Sequence, residues 1–281
     1  MFNATRQGML LLIIVLLSPG VQAQTGGDDM RHPWLDSRFR LGVGEFFQSA
    51  DSKLSVGVAG EALTREYDWQ NTFGLDNSDN RGSGTFYWGF GEKWSLALQY
   101  IDHSSSARAV LDQDVSWEDL TLKAGSFVGA GVSSKVMRVF FGRKFSEGPK
   151  HEFGAGLGVH WLQIGAFAEG EFYLDDQPYG FERRGASAEA PLPNIGAWYA
   201  YAFSQRWLAH ARLDWFNASI DQYSGGLTNA AVGIAVQPWR HFAIGLDYNY
   251  FNLNVDVDGS DWYGSADFTR DGPFLYLLFD W

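Results

Sequence analysis

The last residues of the chain, Gly272 to Trp281, alternate without a break. Pro273, Leu275, Leu277, Phe279 and Trp281 fall on one face of an extended chain, with Phe274, Tyr276, Leu278 and Asp280 on the other. A period of two is the period of a β-strand. In water, an exposed strand this apolar that ends on an aromatic residue would be an aggregation hazard. As the final strand of a membrane barrel it fits, because its apolar row faces lipid and its end sits in the interfacial aromatic girdle.

The same period recurs through the sequence. Phe86, Trp88 and Phe90 lead into a sharp turn at Gly91-Glu92, and Trp94, Leu96, Leu98 and Tyr100 return. Met137, Val139, Phe141 and Phe145 turn through Glu147-Gly148-Pro149, and Phe153, Leu157, Val159 and Trp161 follow. Further tight turns are expected at Ser204-Gln205 and Gln237-Pro238, and longer polar connections at 65–80, 104–134 and 169–185. Barrels keep periplasmic turns short and outer loops long. Both chain ends belong on the turn side, so the strand number should be even. The pattern predicts an all-β, antiparallel, up-and-down transmembrane β-barrel of about ten strands, with twelve or eight as alternatives. Ten requires one long first strand from Phe39 to Val58, kinked by a β-bulge near Ser49–Ser52, where the apolar row changes parity.

The N-terminus reads as an export signal: Arg6, an apolar run from Met9 to Leu17, and the small-residue site Val21-Gln22-Ala23. The expected organisation is a signal peptide over 1–23, a short periplasmic lead over 24–37 that looks too small to be a plug, and one barrel over 38–281. No apolar run reaches the roughly 18 residues of a spanning helix. Cysteine is absent, so disulfides play no part. The formal charge of −12 argues against nucleic acid as a partner.

With the apolar rows facing lipid, the opposite rows carry Gln99, Arg138, His160, His210, Arg212, Asp214, Asp247 and Asn249 among glycines and alanines. Charges inside a narrow barrel must be paired, so these eight residues are expected to form a polar lumen network or a narrow pore lining. His210, Arg212 and Asp214 look like a relay, but neighbours of equal parity stand about 6.5 to 7 Å apart, which is long for a direct hydrogen bond. For a hydrolase, the test is whether His103 or His160 reaches a Ser or Asp in a cleft at the lipid boundary. Asp256 to Asp261 lacks the spacing of a Ca²⁺ loop. No catalytic, cofactor or metal site is expected.

Three features carry a family resemblance: the hairpin Tyr87 to Tyr100 (YWGFGEKWSLALQY), Tyr201 to Trp207 (YAFSQRW), and the terminus with Tyr276, Phe279 and Trp281. The terminus resembles the signal that the barrel assembly machinery reads in bacterial outer-membrane proteins. The whole mature chain resembles the small outer-membrane barrels of the OmpA/OmpW-like superfamily, as an uncharacterised branch. The resemblance implies a location in the Gram-negative outer membrane and contact with its lipid and lipopolysaccharide. It also implies a structural or surface-interaction role, or a porin-like narrow pore. The alternative is an outer-membrane hydrolase acting on lipid A or peptides. Fold alone does not choose among these.

Overall fold

A computed structural model describes residues 31–58, 67–74, 78–117, 120–220, 223–258 and 262–281. The expected signal peptide and residues 24–30 lie outside the described residues, as do Asp76, Glu118, Asp119, Ser260 and Asp261.

The long strands are β1 (Phe39–Val58), β3 (Ser78–Phe90), β4 (Trp94–Val110), β7 (Phe127–Glu147), β8 (His151–Leu174), β9 (Gln177–Ala202), β10 (Trp207–Ile220), β11 (Tyr223–Trp239), β12 (Phe242–Asp258) and β13 (Trp262–Asp280). Short strands β2 (Tyr67–Asp68), β5 (Val115–Trp117) and β6 (Leu120–Leu122) lie in the connections at the far end. Each long strand pairs antiparallel with its neighbours, in the order β8-β7-β4-β3-β1-β13-β12-β11-β10-β9. A β8–β9 ladder then closes the ring. The fold is therefore a closed, ten-stranded, antiparallel membrane β-barrel.

Its outer surface carries the apolar row of each strand. Leu98, Met137, Leu157, Leu213, Val232 and Leu246 are exposed in its middle. Trp94, Phe153, Trp207, Trp239, Phe279 and Trp281 ring the end with the tight turns, while Tyr100, Trp161, Trp215 and Tyr250 form the opposite aromatic row. A water-soluble barrel would have to hide these side chains. Here they make a lipid-facing band between two girdles.

Several expectations about connections change. β1 is one strand, but it has no bulge, because its register against β13 runs unshifted from Arg40↔Asp280 to Val58↔Trp262. Gln237-Pro238 is not a turn: β11 continues to Trp239 through a register shift after Val236, and the chain reverses at Arg240-His241. A proline is tolerated at such an irregularity because no ladder donor is needed there. Residues 169–185 are not a loop either. β8 and β9 run on for 24 and 26 residues to a two-residue turn at Asp175-Asp176. Both turn residues have positive φ, 47° and 60°, as the hairpin turn that matches strand twist requires. The 104–134 connection shrinks likewise, since β4 and β7 extend to Val110 and Phe127.

Strict alternation makes the face assignment testable. Leu213 is 49% exposed on the outer row, so Leu213→Arg places a cation in lipid at a cost of about 2 to 4 kcal/mol. The expected outcome is a clear drop in folded, heat-modifiable protein on gels. Wild-type folded yield would show the faces to be reversed.

Candidate lumen network

The inward rows fill the barrel in layers. At the turn end, residues ahead of β1 enter the lumen as a one-turn helix, Pro33–Asp36, capped by His32, whose ring accepts from the Trp34 amide. Leu35 is buried against Ala200, Ala202 and Leu208. Trp34 packs against that cluster and also against the one formed by Phe46, Ala243, Phe274, Tyr276 and Leu278, so it spans two walls. Its ring stacks on His210 at 5.2 Å, and the Arg40 guanidinium lies 4.9 Å over it. The lead expected to be too small for a plug thus packs inside this end of the lumen.

Above Trp34 lies a cavity of about 190 Å³, lined in part by Gln99, Asn249, Asp247 and Arg212. His210 Nε2 lies 3.0 Å from the Tyr276 hydroxyl and 3.1 Å from Asp247 Oδ1. Tyr276, named with Phe279 and Trp281 as part of the terminal signal, faces the lumen, while the other two face outward. Glycine provides the room. A Cβ on Gly233 would come within 2.0 Å of Asp247 Oδ1, and one on Gly196 within 2.3 Å of Asp214 Oδ1.

The next layer is ionic. Arg138 of β7 donates to both carboxylate oxygens of Asp214 of β10, at 2.6 and 2.8 Å. Both side chains are essentially shut off from solvent, at 5% and 0% exposure. Arg212 Nη1 donates to Asp214 Oδ2 at 3.0 Å. The spacing argument that i and i+2 stand too far apart is thereby corrected, because a guanidinium spans what shorter side chains cannot. His160 is wholly buried beside this pair. Its Nδ1 donates to Asn194 Oδ1 at 3.0 Å, and its Nε2 accepts from Asn229 Nδ2 at 2.9 Å. Asn194 and Asn229 were missed in the sequence, although each sits on an inward position of its strand.

Of the eight expected lumen residues, the structure joins Arg138, Arg212, Asp214 and His160 in one network. It places His210 and Asp247 in a second contact group, with Gln99 and Asn249 on the cavity wall. His160 sits among lumen amides rather than in a cleft at the lipid boundary, and its nearest approach to Asp214 is 3.8 Å. His103 is buried, whereas Asp102 contacts Tyr100 and Lys135 on the outer row. Asp114 is held in its loop by the Ala124 amide. Among the described residues no cluster of three or more His, Cys, Asp or Glu is arranged to hold a metal.

Above the ionic layer, apolar side chains meet across the bore. Val136 of β7 and Leu162 of β8 join Leu227 of β11, Phe251 and Leu253 of β12, and Phe268 of β13 in one buried cluster. β8 and β13 stand on opposite sides of the ring. The Arg270 guanidinium is buried here, 5.2 and 5.0 Å from the ring centres of Phe251 and Phe268. Beyond, Leu111, Val115, Leu120 and Leu122 fold inward onto Val128, Ala168 and Phe172 and cap the far end.

No protein-family model matches the chain, and no curated protein matches it. Solved structures do. The outer membrane protease OmpT of Escherichia coli matches with a TM-score of 0.57 and 11% identity, over 88% of this chain and 97% of that one. The toluene transporter TodX of Pseudomonas putida matches at 0.35 and 8%, over 88% and 90%. The attachment invasion locus protein Ail of Yersinia pestis matches at 0.28 and 9%, over 85% and 98%. At this identity OmpT shares the fold alone, and the two lower scores add nothing to that.

Two predictions follow from the interior. Asp214→Asn leaves Arg138 buried without its counter-charge, a loss of about 3 to 5 kcal/mol. Urea midpoints in lipid vesicles should fall accordingly, while Asp102→Asn on the outer row should leave them within about 0.5 kcal/mol of wild type. The second concerns the plug. Burial lowers the His32 pKa from 6.5 to about 4, against a smaller opposing backbone bond to Arg206. The undocked imidazole takes up its proton from about 6.5 and the docked one only near 4, so docking is fully stable above 6.5 and weakens as pH falls toward 4. The Leu35 amide, bonded to the His32 carbonyl, should lose exchange protection over that interval, and His32→Leu should abolish the pH dependence.

Proposed function

We propose that this chain is an outer-membrane barrel, exported by its N-terminal signal and inserted by the assembly machinery through Phe279 and Trp281. Its role is structural and surface-interacting rather than conductive. Kinship with the OmpA/OmpW-like superfamily rests on the hairpin and terminal motifs. The lipid-facing band and its two aromatic rows support contact with outer-membrane lipid and lipopolysaccharide.

One observation carries the choice against a pore: apolar side chains from opposite walls, Leu162 and Phe268 among them, meet in one buried cluster inside the lumen. A conducting path needs a continuous polar or hydrated bore. Here Trp34, the Arg138–Asp214 pair and this apolar layer stand in series. The barrel therefore acts as a rigid stem that presents its far-end hairpins to the outside.

Purified full-length protein in planar lipid bilayers should give no steady ohmic channel at neutral pH. Removing Phe251 and Phe268 together, as alanines, should leave the bilayer silent as well, because Trp34 and the Arg138–Asp214 pair still stand in series with the opened layer. A steady wild-type conductance would overturn the closed-lumen reading in favour of the pore.

A further inference from the structure

β9 is fully paired along only one edge. Toward β8 its register runs from Gln177 to Tyr201, but toward β10 it covers Ile195 to Ala202 alone. β10 continues above Trp215 through Phe216, Asn217 and Ala218, yet there it pairs with β11 and no longer with β9.

The cause can be read from hydrogen-bond parity. The Ala202 N–H donates to Lys150 beside β8, and the Phe203 N–H donates to Trp207 beside β10. Odd residues from 181 upward therefore aim their N–H and C=O toward the β10 side. The two odd positions above Ile195 are Pro193 and Pro191, which have no N–H. The ladder ends at these missing donors. Past them, Phe181, Arg183, Gly185, Ser187 and Glu189 point backbone groups sideways, and no described residue pairs with them on that side.

This edge stands beyond the aromatic row at Trp161, which pairs with Pro191, so it lies outside the lipid band. Phe181 is 75% exposed and the Arg183 side chain 60%. A groove of about 580 Å³ runs over β4, β7 and β8 and reaches β9 at Arg183, Gly185 and Ser187, with Ser133 and Gly165 on its floor and Phe167 beside Arg183. The bare edge is a row of donors and acceptors repeating every two residues, about 6.8 Å. Lipid chains carry no matching groups. A second copy pairing antiparallel along this edge would need a two-fold axis through the barrel wall, and that would invert one barrel relative to the other, which a single membrane forbids. An extended polypeptide meets the row group for group.

We infer that residues 181–189 of β9 form a strand-addition site for an extended peptide segment of a partner protein. The peptide's main chain bonds the edge, its outward side chains lean over Gly185 and Ser187 toward the groove, and an acidic residue competes with Glu169, 3.5 Å away, for Arg183. The inference rests on the surface-interaction reading and gives that reading a partner class.

The test uses the full chain in lipid nanodiscs and a short fluorescein-labelled peptide of alternating threonine and valine with a central aspartate. Its control is the same peptide N-methylated at alternate amides. Binding should raise anisotropy, and amide exchange should slow at Phe181, Arg183, Gly185, Ser187 and Glu189. The N-methylated control should not bind. Ser187→Pro removes an edge donor that makes no bond to β8, so the barrel should fold while peptide binding weakens about tenfold. Wild-type affinity in that variant overturns the proposal. So does protection of the odd amides without peptide, whether it is constant, rises with protein concentration, or appears on adding lipopolysaccharide; these outcomes assign the edge to the chain itself, a second copy or glycolipid. None of these results changes bilayer conductance, so the closed-lumen reading stands or falls separately.

Discussion

Hydrocarbon offers no partner to a backbone N–H or C=O, and each unpaired group there costs several kcal/mol. Closing the ring between β8 and β9 is how this chain meets that condition. Closure fixes the parity of every strand, and parity fixes the rest. Once Met137 and Val139 face lipid, Arg138 must face the bore. Once it is inside and dry, it needs a counter-charge, and Asp214 supplies one with two short bonds. The pair adds little net stability by itself. Its effect is to penalise any register that separates β7 from β10.

The same narrowness explains the glycines and the seal. Gly196 and Gly233 face the bore where Asp214 and Asp247 lean across it, and a methyl group at either position would collide with a carboxylate. Below, Trp34 reaches both apolar walls, those built on Leu208 and on Phe274, from a single helical turn. Above, Phe251 and Phe268 pack against Leu162 from across the ring. Side chains of this size meeting across a small barrel pack it as a core is packed, which is what the closed-lumen proposal rests on. Rigidity in the stem then leaves adaptability to the hairpins outside the membrane.

What the sequence made legible follows the lipid. Where one row must be apolar, alternation is sharp, and the strands from Phe86 to Tyr100, Met137 to Trp161 and Phe242 to Tyr250 could be read directly. Outside the lipid the outer row is free to be polar, so the ladder persists while its signature fades. Residues 169–185 looked like a loop for that reason, although they pair on both sides of the Asp175-Asp176 turn. The lumen charges were legible through parity. Asn194 and Asn229 were not, because neutral amides on an inward row look like filler until His160 is seen between them. Trp34 was hidden because four helical residues are too few to show a period.

The separation of β9 from β10 ties these points together. Pro191 and Pro193 remove two successive ladder donors, opposite Trp161 and Val159 of β8. In the middle of the band that loss would expose carbonyls to hydrocarbon, with nothing to satisfy them. At its outer margin water hydrates the carbonyls at small cost. The prolines are therefore tolerable only near the membrane boundary. The aromatic row marks the boundary at the same height by a different criterion, since Trp161 and Trp215 sit within a few residue pairs of the split. Side-chain amphipathicity and backbone satisfaction are independent constraints, and here they place the boundary together. The bare edge of β9 begins where the requirement for pairing ends, so this fold can leave a strand open to a partner there without weakening the ring that holds it.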